Sequence, residues 1–148
     1  MAAAPIFQLS RAVPIPLYSL HCEDIDIQHR RIGQLLQDVA DRIQEGMGAE
    51  VVGKTFIRVV EYMRVHFGDE EQFMEAWRYP APLLREHALE HARMMERLEK
   101  LHAGIGTANP PTRTELVEPI VAWLEFHRAS DDKPYMEYCR AAWRADAV

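Results

Sequence analysis

Residues 51–77 read VVGKTFIRVVEYMRVHFGDEEQFMEAW, and their apolar side chains recur at alternating steps of four and three residues. This spacing is typical of the buried seam of a bundle helix, because an α-helix completes a turn about every 3.6 residues. His66 and Glu70 occupy positions on the same seam. Ionisable groups are costly to bury without a partner. The stretch therefore predicts a bundle helix that carries polar groups into its core.

Other segments with the same period precede and follow this one, and breaks rich in glycine or proline separate them. The pattern predicts helices over residues 24–43, 51–77, 82–102 and 112–130, and a short C-terminal helix from Pro134 to about Trp143. Short connections favour neighbouring helices that run antiparallel. We therefore expect an all-α fold, an up-down-up-down antiparallel four-helix bundle.

The start of the fourth predicted helix is open to two interpretations. Thr112 and Glu115 have the spacing of a capping box, which would begin a helix there. Pro119 lies inside the same segment, and proline disrupts a helix interior. The helix is therefore either bent at Pro119 or begins later than Thr112.

Residues 1–22 are predicted to form an extended N-terminal arm that precedes the bundle domain of residues 23–148. Pro5, Pro14 and Pro16 interrupt the apolar residues of this arm, and no basic cluster precedes a long apolar run, as a signal peptide would require. No stretch approaches the ~20 apolar residues of a membrane helix. We expect a cytoplasmic protein that does not insert into membranes.

The composition is that of an ordinary globular domain. The chain has 148 residues, of which 48% are hydrophobic and 27% charged, so one domain with a sizeable core is expected. A net charge of −6 argues against nucleic acid as the main partner. Cys22 and Cys139 are too few for a disulfide framework.

Ionisable residues interrupt every predicted apolar seam. They are His29, His66, Glu70, His87, His91 and His127. In an antiparallel bundle, at ~1.5 Å per residue, all of them fall within roughly 7–17 Å of the same end. Converging imidazoles and carboxylates are how helix bundles hold transition metals. The residues alone therefore predict a metal site at this level of the bundle.

A further carboxylate should come from the end of the fourth helix. Asp131 and Asp132 follow His127 by four and five residues. Helical geometry favours Asp131, because a residue five positions on is rotated by about 140° at ~100° per residue. Spacing alone leaves both residues as alternatives.

These motifs resemble those of the hemerythrin family, and within it the stand-alone bacteriohemerythrins, over about residues 18–135. The matching stretches are DIDIQH ending at His29, HFGDEEQFM from His66, YP at Tyr79–Pro80, HALEH from His87, and WLEFHRASDDKPY from Trp123. In this family the fourth-helix carboxylate lies five residues after the histidine, so the resemblance selects Asp132.

The resemblance implies two non-haem iron ions with an oxo or hydroxo bridge. His87, His91 and His127 would hold one iron, and His29 and His66 the other. Glu70 and Asp132 would bridge the two irons. One coordination place would stay open, on the iron with two imidazoles, and O2 would bind there against apolar walls. The residues expected to form these walls are Ile25, Ile32, Phe67, Trp123 and Leu124.

Two neighbours of these residues carry separate expectations. Glu71 is expected to point off the seam into solvent. Arg128 stands where the family often has isoleucine. If its side chain faces the O2 pocket, autoxidation would be faster. If it faces solvent, no effect on autoxidation is expected.

The resemblance favours an O2-binding protein for storage, transport or delivery over an enzyme, and no catalytic residue is predicted. Its partners would be O2 and a client enzyme that uses oxygen, and the oligomeric state is not predicted. One alternative is a di-iron peroxidase or nitric oxide reductase. Another is a sensor of O2 or iron that acts through a separate partner.

Overall fold

The computed structural model describes the backbone of residues 17–146 and the side chains of residues 27–139, 141 and 142. Its helices are α1 Leu17–Gln44, α2 Ala49–Ala76, α3 Ala81–Gly104, α4 Arg113–Leu116, α5 Glu118–His127 and α6 Lys133–Asp146, with a π-helical turn Arg128–Asp132 between α5 and α6. The described backbone contains no strand. None of its helices has the length and apolarity that crossing a bilayer would demand.

The long helices pack as a bundle, which confirms the predicted all-α fold. Helix α2 contacts both α1 and α3, and α1 also contacts α5 and α6. The apolar seams meet in one core, in which Phe56, Met63, Leu98 and Ile120 are completely buried. The glycine and proline breaks end the helices as expected. Gly46 takes a φ of 73° just after α1, and Pro80 immediately precedes α3.

The first helix begins at Leu17, earlier than the predicted start at Asp24. Residues 17–22 of the expected extended arm are therefore helical, and residues 1–16 lie outside the described part of the chain. The physical reason is local. Pro16 is the last proline before the bundle, and nothing between it and Asp24 prevents a helix.

Both interpretations of the start of the fourth helix are correct in part: a short helix begins after Thr112, and a longer one begins again just before Pro119. Thr112 and Glu115 form the predicted capping box, with two 3.4 Å hydrogen bonds, and α4 follows directly. The helix is then interrupted at Val117, whose φ and ψ are −115° and −58°. Pro119 lies in the first turn of the renewed helix α5. A proline is tolerated there because its missing N–H has no partner in a first turn.

The predicted end of the fourth helix near Ser130 is wrong, because the chain continues through the π turn into α6. The N–H of Lys133 donates to the carbonyl oxygen of Arg128, five residues earlier, and so closes the wider turn. A wider turn relieves the clash between the ring of Pro134 and the preceding turn. The fourth helix and the expected short C-terminal helix are therefore one helical segment.

Replacement of Leu98 by alanine should lower the free energy of unfolding by about 2–5 kcal/mol, because a completely buried leucine is truncated. Leu89 lies on the same helix and is 49% exposed, so Leu89→Ala should change stability by about 0.5 kcal/mol or less. Denaturant unfolding of both variants measures the difference. Equal losses would contradict the core described above.

Candidate metal centre

The four seams bring all of the predicted ionisable residues to one level of the bundle. His29 lies on α1, His66 and Glu70 lie one turn apart on α2, and His87 and His91 lie one turn apart on α3. The last helical segment adds His127 from the end of α5 and Asp132 from the end of the π turn. The side chain of His29 is 11% exposed, and the others are buried.

The polar atoms of these side chains form two groups in which all atoms lie within 4.8 Å of one another. The larger group contains Glu70, His87, His91, His127 and Asp132. The smaller group contains His29, His66 and Glu70. Every imidazole directs its Nε2 atom inward. The Nε2 atoms of His91 and His127 are 3.1 Å apart.

The two carboxylates lie between the groups. The Oδ1 atom of Asp132 is 3.0 Å from Nε2 of His87 and 3.2 Å from Nε2 of His127. Its Oδ2 atom is 3.4 Å from Nε2 of His29. The Oε1 atom of Glu70 is 3.3 Å from Nε2 of both His66 and His91. Each carboxylate is therefore within reach of both sets of imidazoles.

The π turn determines which aspartate enters the cluster. In a π-helical turn the residue five positions on returns close to the starting face, because the hydrogen bond spans five residues. Asp132 accordingly faces inward and is completely buried. Asp131 lies at the edge, is 36% exposed, and has Oδ2 2.9 Å from Nδ1 of His127. The α-helical spacing that favoured Asp131 fails because this turn is not α-helical.

The arrangement fits bound metal. Six buried inward atoms have no hydrogen-bond partner, namely Nε2 of His66 and His87 and both carboxylate oxygens of Glu70 and Asp132. A buried polar atom left without a partner costs about 1–3 kcal/mol. Metal ions would satisfy these lone pairs together, and imidazole nitrogen with carboxylate oxygen is a donor set for first-row transition metals.

Without metal, the side chains of the cluster differ in how readily each one holds a proton. Burial, and then the charge of Asp132, raise the pKa of Glu70 well above its usual value. Burial acts against ionisation of Asp132, but the neighbouring imidazoles of His127, His29 and His87 hold its pKa well below the usual range. Burial lowers the pKa of His66 far below normal. Burial also opposes the charge on His127, yet Asp132 and Glu70 raise its pKa overall.

Three imidazoles have polar partners on their outer side that the sequence did not identify. Glu71 is partly solvated, with 36% of its side chain exposed, but its Oε2 atom also lies 2.7 Å from Nδ1 of His91, a contact that was not predicted. Asp131 contacts His127 in the same way. The amide oxygen of Gln28 forms a short hydrogen bond with Nδ1 of His66. A signal was present in the sequence, because each partner directly neighbours a cluster residue: Gln28 precedes His29, Glu71 follows Glu70, and Asp131 precedes Asp132.

The residues expected to line an O2 pocket do not all lie beside the same part of the cluster. Phe67 stacks on His91, with ring centroids 4.0 Å apart, and Trp123 stacks on His127 at 4.4 Å. Ile32 is completely buried in the core. Leu124 lines a cavity of about 170 Å³ that reaches His29. Ile25 lies on α1, but its side chain is outside the described residues.

The cavity beside His29 lies between α1 and α5. Gly33 forms part of its wall, and a Cβ atom added there would meet nothing within 4 Å. Arg128 also lines the cavity and is exposed to solvent. Arg128 was expected to face either the O2 pocket or solvent. Both descriptions apply in part, because its side chain borders the cavity and is also exposed.

Comparison with known proteins identifies relatives of this chain. A sequence model described as the Hemerythrin HHE cation binding domain matches residues 21–139. The chain is 33% identical over 119 residues to a bacteriohemerythrin of Stenotrophomonas maltophilia (strain R551-3), a match that covers 79% of this chain and 74% of the relative. No solved structure matches the chain.

Metal affinity should fall as pH decreases from about 8 to about 6, by about tenfold per pH unit for each proton that the metal displaces. The raised pKa values of His127 and Glu70 mean that these groups hold protons in the metal-free protein that a metal must displace. His66, with its lowered pKa, is already neutral and adds no proton.

Competitive Zn²⁺ titration against a chelator at several pH values measures this dependence. His102 lies outside the cluster and stacks on Phe56, so His102→Gln should leave the slope unchanged. An affinity that does not vary with pH over this range would contradict the proton sharing described above.

Proposed function

Since the chain belongs to the hemerythrin family, we propose that it binds O2 reversibly at a non-haem di-iron centre and serves oxygen storage, transport or delivery. The observation that carries the proposal is the unequal division of imidazoles between the two groups of donors. Three lie in the larger group, His87, His91 and His127, and two in the smaller, His29 and His66. The protein therefore offers two metal positions with different numbers of ligands.

In this proposal each imidazole supplies one nitrogen ligand to its own iron, and Glu70 and Asp132 bridge both irons. The distances from Asp132 Oδ1 to His87 and from Oδ2 to His29 support a bridging role, because each oxygen is directed to a different group. With an oxo or hydroxo bridge, the larger group fills six coordination places and the smaller group five. The vacancy then lies beside His29 and His66.

When bound, the iron pair supplies the redox chemistry, because each ferrous ion can release one electron to O2 and recover it. The chain's own residues control access to that chemistry. Ile32, Phe67 and Leu124 form apolar surroundings that exclude water from the smaller group, and the cavity beside His29 provides a path for a small molecule. Trp123 lines a separate cavity of about 740 Å³ with His87 and His127, and the side chain of Ile25 lies outside the described residues. We further propose that the protein is cytoplasmic and supplies a client enzyme that uses oxygen.

Anaerobic reconstitution with Fe²⁺ followed by exposure to O2 should produce a ligand-to-metal charge-transfer band that disappears when O2 is removed. Repeated cycles, with iron analysis showing two ions per chain, would support an oxygen carrier. Permanent oxidation in one cycle, with rapid consumption of peroxide or nitric oxide in the presence of a reductant, would instead favour the enzyme. A change in complex formation that depends on O2 would favour a sensor.

Asp132→Ala should abolish binding of the iron pair, because the inward carboxylate next to His87, His127 and His29 is lost. Asp131→Ala should retain two irons at saturating Fe²⁺, because this carboxylate contacts only the outer side of His127. Iron analysis after gel filtration compares the two variants. Loss of iron in the Asp131 variant together with full loading of the Asp132 variant would overturn the assignment.

A further inference from the structure

The outer partners of the imidazoles differ between the two metal positions. We propose that Glu71 and Asp131 are positioning residues that make the larger group the tighter-binding and more electron-rich of the two positions. The inference rests on the proposed di-iron function. It concerns residues that contact imidazoles rather than metal.

The geometry defines the direction of each hydrogen bond. When Nε2 of His91 binds a metal, the ring proton resides on Nδ1, and Nδ1–H donates to the acceptor that faces it. For His91 this acceptor is a Glu71 oxygen at 2.7 Å, and for His127 it is an Asp131 oxygen at 2.9 Å. Both rings are buried, whereas both carboxylates are 36% exposed at the edge of the bundle. Each carboxylate therefore keeps part of its hydration while it holds a buried ring.

Among the side chains that the structure describes, no carboxylate faces the outer side of an imidazole in the smaller group. Nδ1 of His66 faces the amide oxygen of Gln28, which is a neutral acceptor. Nδ1 of His29 is buried and has no hydrogen-bond partner among the described residues. A carboxylate acceptor makes an imidazole more basic than an amide does, and such outer partners typically contribute 10–100-fold to metal affinity. Two of the three imidazoles in the larger group therefore face a carboxylate on their outer side, at 2.7 and 2.9 Å.

Helical geometry explains how one short segment supplies both a central and an outer carboxylate. Adjacent residues on an α-helix point about 100° apart, so Glu70 is directed to the centre while Glu71 flanks the His91 ring from α2. The π turn produces the same division between Asp132 and Asp131. Both pairs place the outer carboxylate on an imidazole of the larger group. This shared pattern in two different backbone geometries is what points to a function for the outer pair.

The test uses Glu71→Gln and Asp131→Asn, which keep the shape of each side chain and remove its charge. Glu75→Gln and Glu137→Gln serve as matched controls, because they remove the same charge from exposed positions on α2 and α6. Titration with Co²⁺, which reports its ligand field by absorption, should resolve two binding steps. We expect the first step to weaken about 10–100-fold in each test variant, with the second step unchanged and the controls like the parent protein.

The midpoint potential of the iron-loaded protein is the second readout, because a merely structural role would not move it in folded protein with both irons bound. We expect it to rise in Glu71→Gln and Asp131→Asn relative to the controls. First-step affinities and potentials equal to those of the controls would overturn the inference. The parent protein tests the proposed function separately: a shift in the variants combined with irreversible oxidation of the parent would retain this inference and reject the oxygen carrier.

Discussion

Five imidazoles and two carboxylates meet in the core of this bundle, and all of them except His29 are buried. Their inward atoms lie close together without forming satisfactory hydrogen bonds, and each unsatisfied atom opposes folding by about 1–3 kcal/mol. Protons can offset part of this cost, which is why the pKa values of Glu70 and Asp132 move in opposite directions. Cations can offset more of it. The stability of this end of the bundle is thus coupled to its occupant, whereas the core around Phe56 and Leu98 is held by apolar packing.

Regular α-helices are sufficient for most of this arrangement but not for all of it. A separation of four residues places His66 above Glu70, and His87 above His91, on one face of a helix. The fourth helical segment must direct His127 and Asp132 to the same centre from positions five residues apart. It does so by widening one turn, which also leaves Asp131 on the outer side of the His127 ring. One local change in the backbone therefore sets two contacts of the site.

The two groups of donor atoms differ in several respects. The larger group has more imidazoles, and its rings His91 and His127 are stacked against Phe67 and Trp123 and hydrogen-bonded to carboxylates. The smaller group has fewer imidazoles and lies beside a cavity that reaches His29. An iron pair in this setting would have a cavity beside each ion, one of about 170 Å³ at His29 and one of about 740 Å³ lined by His87 and His127. In the proposed centre, the smaller number of imidazoles at His29 and His66 would be what confines the binding of a small molecule to one ion.

Much of this protein follows from sequence periodicity, because burial of an apolar seam and the i,i+4 spacing are local properties of a helix. The bundle, its antiparallel order and the level at which His29, His66 and His87 converge could be predicted in this way. The choice between Asp131 and Asp132 could not be made from helical spacing, because the hydrogen bond from Lys133 to Arg128 makes this turn wider than an α-helical one. The family's motif spacing selected Asp132 without explaining it. The role of Glu71 also required the tertiary structure, since its partner His91 lies on another helix, and periodicity within α2 carries no information about a side chain across the interface.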